Sequence, residues 1–382
     1  MKDFSFTVPQ DIIFGMGSLS KLPEILRKTG DNSAFIISDP GLKAVGLVDK
    51  VEKIATDSGM SCSSFTDIIP NPPISCCVKA FEAYKASGAR YIIALGGGGP
   101  MDVAKAVGIL AEYGGDLNSY AGVNKVPGPI VPLIAIPTTA GTGSEVTASS
   151  VIVNDETRFK MAIVSHYLIP KYALLDPELI MTLPAGIAAA CGVDAFIHAF
   201  EAYLSKQRNL YTDAMAEKAM ELIGANIRKF VASRDNEEAA CNMMLGSTFA
   251  GMSFAWALLG NVHAMSHPVS GFFGVAHGVA NAILLPVITE YNALADDGRY
   301  RRVYNYIAEG AKADDSFKPQ MLAEAFRDLN RELGIPERLR DVGVTEDKFP
   351  EMCADAMKSG NILLNPRQTN IKDVEMLYRK AF

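Results

Sequence analysis

Short apolar runs and helical spacing alternate along the first half of the chain. Ala34-Phe35-Ile36-Ile37-Ser38 is such a run and ends at Asp39-Pro40-Gly41. Tyr91-Ile92-Ile93-Ala94-Leu95 is a second, ending in Gly96-Gly97-Gly98-Gly99-Pro100. Ile130-Val131-Pro132-Leu133-Ile134-Ala135-Ile136-Pro137 is a third. Runs this short, apolar throughout and closed by turn residues, predict strands buried on both faces. The segments between them, such as 100–110, space their apolar residues as helices do. Strands alternating with helices predict a mostly parallel sheet with helices on both sides, an α/β domain.

Beyond about residue 184 the pattern becomes helical. Helices are predicted over 185–204, 209–232, 236–267, 274–292 and 299–312, and the tail 318–382 continues in the same way without a strong strand pattern. The predicted organisation is therefore an α/β domain over 1–183 and an all-helical domain over 184–382.

Composition narrows the function. The 382 residues are 49% hydrophobic and carry a net charge of −7, interspersed and without a basic tail. Nucleic acid and anionic membranes are not expected partners. The start, MKDFSFTVPQDIIFG, has early acids and no unbroken apolar stretch, so a signal peptide is not expected. No run of about 18 apolar residues is seen, so no membrane-spanning helix is expected. The six cysteines are scattered without a C-x-x-C pair, which suits reduced thiols in the cytoplasm.

Histidine is rare and clustered. Of five in the chain, His263, His267 and His277 fall within GNVHAMSHPVSGFFGVAHG, residues 260–278. His263 and His267 are four apart, as are Asp194 and His198, and that spacing places each pair on one helix face. Pro268 disfavours helical geometry at His267, so the helix is expected to end or kink there and let His277 return toward His263. Several imidazoles with one carboxylate suit a divalent first-row metal, Fe²⁺ or Zn²⁺. Each histidine alone reads more readily as a hydrogen-bonded core residue or helix cap; two such pairs in an apolar setting favour the metal.

Two loops follow predicted strands. Gly96-Gly97-Gly98-Gly99-Pro100-Met101-Asp102 is a glycine turn opening a helix, which can hold a phosphate on backbone N–H groups or be a plain tight turn. It does not match G-x-G-x-x-G. Asp39 is placed to accept both ribose hydroxyls of an adenosine and to repel a 2′-phosphate, or to start the turn before Pro40. Pro137 to Thr147, rich in hydroxyls and glycine, reads as a phosphate or ribose loop or as a capped helix start.

Taken in order, these blocks resemble the iron-containing alcohol dehydrogenase family over nearly the whole chain. The resemblance rests on Gly96 to Asp102, on Thr138-Thr139-Ala140-Gly141-Thr142 with Ser144-Glu145-Val146-Thr147, and on Gly192-Val193-Asp194 with His198. It rests also on His263-Ala264-Met265-Ser266-His267, Ala276-His277-Gly278, Asn281 to Pro286 and Asn365-Pro366-Arg367. It implies a Rossmann-like nucleotide-binding domain before a helical metal-binding domain, an architecture shared with dehydroquinate synthase. It implies metal ligands Asp194, His198, His263 and His277, with His267 in the site without being a ligand; an imidazole there reads as a proton relay or as an orienter of a metal ligand. It implies NAD contacts from Asp39, Asn71, Gly97, Gly98, Gly99, Thr138, Thr139, Thr142, Val151, Lys160, Leu179 and Leu183, with Asp39 favouring NAD over NADP. The implied activity is hydride transfer between a small primary alcohol or diol and nicotinamide, in a homodimer or higher homo-oligomer.

Four departures from the family pattern stand out. Gly99 replaces serine, Ala276 replaces a proline, Phe254-Ala255-Trp256 replaces phenylalanine and two asparagines, and Pro268-Val269-Ser270 alters a Leu-Gly pattern. The alternatives are glycerol dehydrogenase, a sugar-phosphate cyclase, or a metal- and nucleotide-binding protein that has lost catalysis. A cyclase needs a basic cluster for its substrate phosphate, and beside the matched motifs Lys160 has little basic company.

Overall fold

The computed structural model describes Phe4, Phe6, Thr7 and residues 10–308, 310 and 312–382. Thr7–Thr139 and Ser144–Ile180 form one compact unit; Met181–Phe382 with Ala140–Gly143 forms the core of another.

The first unit is built on six parallel strands: β1 (Asp11–Phe14), β2 (Ser33–Ile37), β3 (Ser61–Phe65), β4 (Tyr91–Gly96), β6 (Leu133–Pro137) and β9 (Tyr172–Leu175). Their order is β1-β9-β6-β4-β2-β3. Between them run α1 (Leu22–Thr29), α2 (Pro40–Ala44), α3 (Leu47–Asp57), α4 (Ile74–Ser87) and α5 (Gly98–Tyr113). Successive strand side chains alternate between faces. Phe35, Ile37, Ile92, Ala94, Leu133 and Ala135 pack into one core layer with Cys77, Ala80, Met101 and Ala104 of α4 and α5. Ala34, Ile36, Tyr91, Ile93, Leu95 and Ile134 pack into the other, with Leu22, Leu26, Val48 and Val51 of α1 and α3. Both faces are covered, which is why these strands are unbroken apolar runs.

The strand order locates the candidate nucleotide site. From β2 the chain steps to β3 on one side; from β4 it steps to β6 and β9 on the other. The order therefore reverses between β2 and β4, and in open parallel sheets ligands bind beyond the strand ends at that point. Asp39 follows β2, and Gly96 to Gly98 follow β4.

A second sheet joins β5 (Gly122–Val123), β8 (Lys160–Val164) and β7 (Ser149–Val153) in that order, with β7 and β8 antiparallel. The helical pattern does not reveal this hairpin. Nor does a helix follow β6, so the capped-helix reading of Pro137 to Thr147 is overturned: the segment is irregular up to β7.

The second unit contains α6 (Ala185–Leu204), α7 (Leu210–Ala232), α8 (Glu237–Ala257), α9 (Asn261–Phe273) and α10 (His277–Asn292). It continues through α11 (Arg299–Ile307), α12 (Pro319–Glu332), α13 (Phe349–Lys358), α14 (Asn361–Leu364) and α15 (Ile371–Ala381). Three sequence expectations change here. The single helix over 236–267 is two helices meeting at 103°. The helix does not end at His267 but runs through Pro268 to Phe273, giving up the one N–H that proline lacks; the chain reverses instead at 274–276. Finally, α6 is long and apolar enough to cross a membrane, but 89% of its most apolar window is buried within the structure.

Candidate metal centre and nucleotide loops

Helix α6 presents Asp194, His198 and Glu201 at i, i+4 and i+7, on one face and all buried. Helix α9 adds buried His263 on its first turn, and α10 begins with His277. Asp194, His263 and His277 each direct one ligand atom into a common space, all within 4.8 Å of one another. The Nε2 atoms of His263 and His277 lie 3.7 and 3.8 Å from Asp194 Oδ1.

His198 stands beside this trio. Its ring stacks on His263 at 4.5 Å and on Phe254 at 4.4 Å, and its Nδ1 lies 3.3 Å from the carbonyl oxygen of Gly141. With that nitrogen donating, Nε2 keeps its lone pair. His267, one turn beyond His263, is half-buried, with its ring 5.2 Å from that of His277. Trp256, half-buried near the end of α8, is not a core residue.

Two residues that sequence reasoning passed over complete the cluster. The Glu201 carboxylate accepts from His263 Nδ1 at 2.7 Å. Asn281, one turn after His277, donates from Nδ2 to Asp194 Oδ1 at 2.6 Å, and the same atom lies 3.1 and 3.2 Å from Nε2 of His263 and His277. Both had a signal: each is helically spaced from a chosen residue, Glu201 three after His198 and Asn281 four after His277.

Electrostatics separate the groups. Burial would raise Asp194, but His198, His277 and His263 outweigh it and hold the carboxyl well below its usual range. Burial pushes His198 down to about 4, so it is neutral near physiological pH. Burial would lower His263 too, but the facing carboxylates of Asp194 and Glu201 lift it to about 9. The centre is thus an ionised carboxylate among imidazoles whose nitrogens converge. Oxygen and nitrogen donors in this number fit a divalent first-row cation.

In the α/β unit, Asp39 Oδ1 caps α2 by accepting from Leu42 N at 3.0 Å. Its Oδ2 lies 3.4 Å from where a Cβ on Gly96 would stand. Gly96 has φ +147°, and that Cβ would strike Pro100 at 2.6 Å, so no larger residue fits this turn. Gly97 caps α5 without a side chain, and Thr139 Oγ1 lies 3.1 Å from its Cβ position. Gly99 faces Ile68, Ile69 and Pro72, the segment that carries Asn71 with φ 52°. Thr138 is buried directly after β6.

Val151 lies on β7 opposite Ala162, Lys160 starts β8 opposite Val153, and Leu179 sits in the short turn Pro177–Ile180. Thr142 and Leu183 belong to the helical unit. A further residue organises this region. The buried Lys105 ammonium donates to the carbonyl oxygens of Ser144, Thr147 and Ser149 and to the hydroxyls of Ser144 and Thr147. It ties the loop after β6 to α5. Burial lowers Lys105 to about 8 and raises its neighbour Asp102 to about 6.

Comparison with known proteins identifies the family. Residues 9–177 match the iron-containing alcohol dehydrogenase model, and residues 188–382 match the C-terminal model of the Fe-containing alcohol dehydrogenase family. The chain belongs to the iron-containing alcohol dehydrogenase family. It is an oxidoreductase acting on CH–OH groups. It is 39% identical to 1,3-propanediol dehydrogenase of Citrobacter freundii over 382 residues, 99% of each protein. It is 37% identical to lactaldehyde reductase of Escherichia coli (strain K12) over 375 residues, 97% of each. Sulfoacetaldehyde reductase from Bifidobacterium kashiwanohense, solved in complex with NAD⁺, superposes with a TM-score of 0.89 at 29% identity, covering 100% of this chain and 99% of that one. The fold of this family is the parallel α/β sheet followed by helices described above.

Proposed function

We propose that this dehydrogenase interconverts a small primary alcohol or diol and its aldehyde with NAD(H), using Fe²⁺ or Zn²⁺ held by Asp194, His198, His263 and His277. The observation that carries the reading is the convergence of Asp194, His263 and His277 on one space, with His198 stacked against them. A divalent cation there supplies a Lewis acid that lowers the pKa of an alcohol hydroxyl and polarises an aldehyde carbonyl.

The chain's own groups do the rest. Glu201 keeps the proton of His263 on Nδ1, so Nε2 offers a lone pair. Asn281 holds Asp194 Oδ1 in place. His267 relays the hydroxyl proton toward solvent, a task for a half-buried imidazole whose ring lies 5.2 Å from that of His277. Asp39 Oδ2 accepts the adenosine ribose hydroxyls, while Gly97, Gly98 and Gly99 at the start of α5 bring N–H groups to the pyrophosphate. Asn71, Thr138, Thr139, Thr142, Val151, Lys160, Leu179 and Leu183 complete the NAD contacts. The complex of NAD⁺ with the related sulfoacetaldehyde reductase supports this cofactor. We place the enzyme in the cytoplasm, in keeping with six cysteines of which none forms a disulfide, as a homo-oligomer.

Replacing His263 by Ala tests the assignment. The variant is expected to lose bound metal and turnover while still binding NADH. Retained stoichiometric metal, or turnover without metal, contradicts it.

A further inference from the structure

The route between α8 and α9 is unusual. Leu258 closes α8 at φ 56° and ψ −166°, a region that side chains other than hydrogen strongly disfavour. Such a residue stays there only when its surroundings hold it. Gly260 then precedes α9 and gives it no side-chain cap. The first turn of α9 is held from elsewhere. Asn365 Oδ1 accepts from Asn261 N at 3.3 Å, and Glu201 Oε1 accepts from Val262 N at 2.7 Å. Glu201 Oε2 accepts from His263 N at 3.3 Å as well as from His263 Nδ1. Gly260 leaves room for this: a Cβ there would lie 2.9 Å from Glu201 Oε1 and 3.1 Å from Asn365 Oδ1.

One buried carboxylate therefore meets three donors: two main-chain N–H groups of α9 and the ring of its metal-facing histidine. The first two contacts fix where α9 begins. The third fixes which nitrogen of His263 carries the proton. We infer that Glu201 is a positioning residue for the metal: it caps α9 from α6 and sets His263 in the tautomer whose Nε2 faces Asp194 and His277. The inference rests on the metal reading above. Carboxylates bound to the far nitrogen of a metal-ligating histidine typically change metal affinity by roughly 10- to 100-fold.

Co²⁺ alone, titrated into metal-free full-length protein and followed by its visible absorption, reads the site without turnover. Wild type is expected to take one Co²⁺ per chain and His263→Ala none. Glu201→Ala is expected to bind Co²⁺ roughly 10- to 100-fold more weakly, with an altered visible band, while keeping its far-ultraviolet circular dichroism. Glu201→Gln, whose amide oxygen can still accept from Nδ1, is expected to recover part of the affinity and the wild-type band. Wild-type affinity and spectrum in both Glu201 variants overturn the inference. So does a folded Glu201→Gln no better than Glu201→Ala. If Glu201→Ala does not fold, Glu201→Gln decides alone: weakened binding with native circular dichroism supports the role, and wild-type binding and band overturn it. A wild-type protein that takes up no Co²⁺ overturns the metal reading itself.

Discussion

His263 carries two opposed demands in one ring. Without metal, the carboxylates around it raise its pKa to about 9, so it holds two protons near neutrality. As a ligand it must give up the one on Nε2. Metal uptake therefore displaces a proton, and affinity depends on pH with a definite sign. Below the raised pKa the cation competes with the proton, and affinity climbs about tenfold per pH unit. Above about pH 9 the ring is already neutral and this dependence flattens. Metal titrations across that range, with proton release followed in weak buffer, check this. An affinity that does not change with pH contradicts it. Gly99 offers a second residue-scale prediction. Its Cβ position meets nothing closer than 3.6 Å, and no positive φ restricts it. Serine, the residue usual in the family, should fit and add one hydrogen bond to the cofactor, about 0.5–1.5 kcal/mol. Gly99→Ser is expected to lower the KM for NADH roughly two- to tenfold by that figure. An unchanged or raised KM argues that no phosphate lies there.

The break between α8 and α9 shows what periodicity does and does not carry at the scale of elements. Ala257, Leu258 and Leu259 continue an apolar pattern, so 236–267 reads as one helix. The helix divides because residues far along the chain, Glu201 and Asn365, take the N–H groups with which a second helix begins. Pro268 is the converse: a local signal to stop, overridden within a buried helix that forgoes one hydrogen bond. By contrast, α6 matches its predicted span because its apolar pattern, its ends and its burial agree. The Glu201 clamp makes Gly260 sensitive to size. Gly260→Ala should lower unfolding free energy by about 1–3 kcal/mol through overpacking, and weaken metal binding with it. Denaturant titration of the metal-free variant measures the first; an unchanged midpoint contradicts the close approach.

At the scale of the molecule, β2, β4 and β6 were legible because each is a short apolar run closed by turn residues, whereas β1, β3 and the buried β9 were not singled out. The hairpin of β7 and β8 was not, since Ser149, Ser150 and Lys160 dilute its pattern and its pairing is non-local. The order of strands was also beyond the sequence, yet that order places Asp39 beside Gly96. The same holds for the metal centre. Spacing paired Asp194 with His198 and His263 with His267, and the family resemblance named Asp194, His198, His263 and His277 as ligands; Glu201 and Asn281 share their helical spacing, but their partners appear only when three helices are assembled. The most direct test of the central claim is the metal dependence of NADH oxidation. The protein would be purified anaerobically, stripped of metal, and assayed with propanal, lactaldehyde and 3-hydroxypropanal before and after adding Fe²⁺. Oxidation of NADH that appears with at least one aldehyde only after Fe²⁺ is restored, and that fails in His263→Ala, is the predicted result. Equal oxidation with and without metal, or none from protein loaded with both metal and NADH, would contradict it.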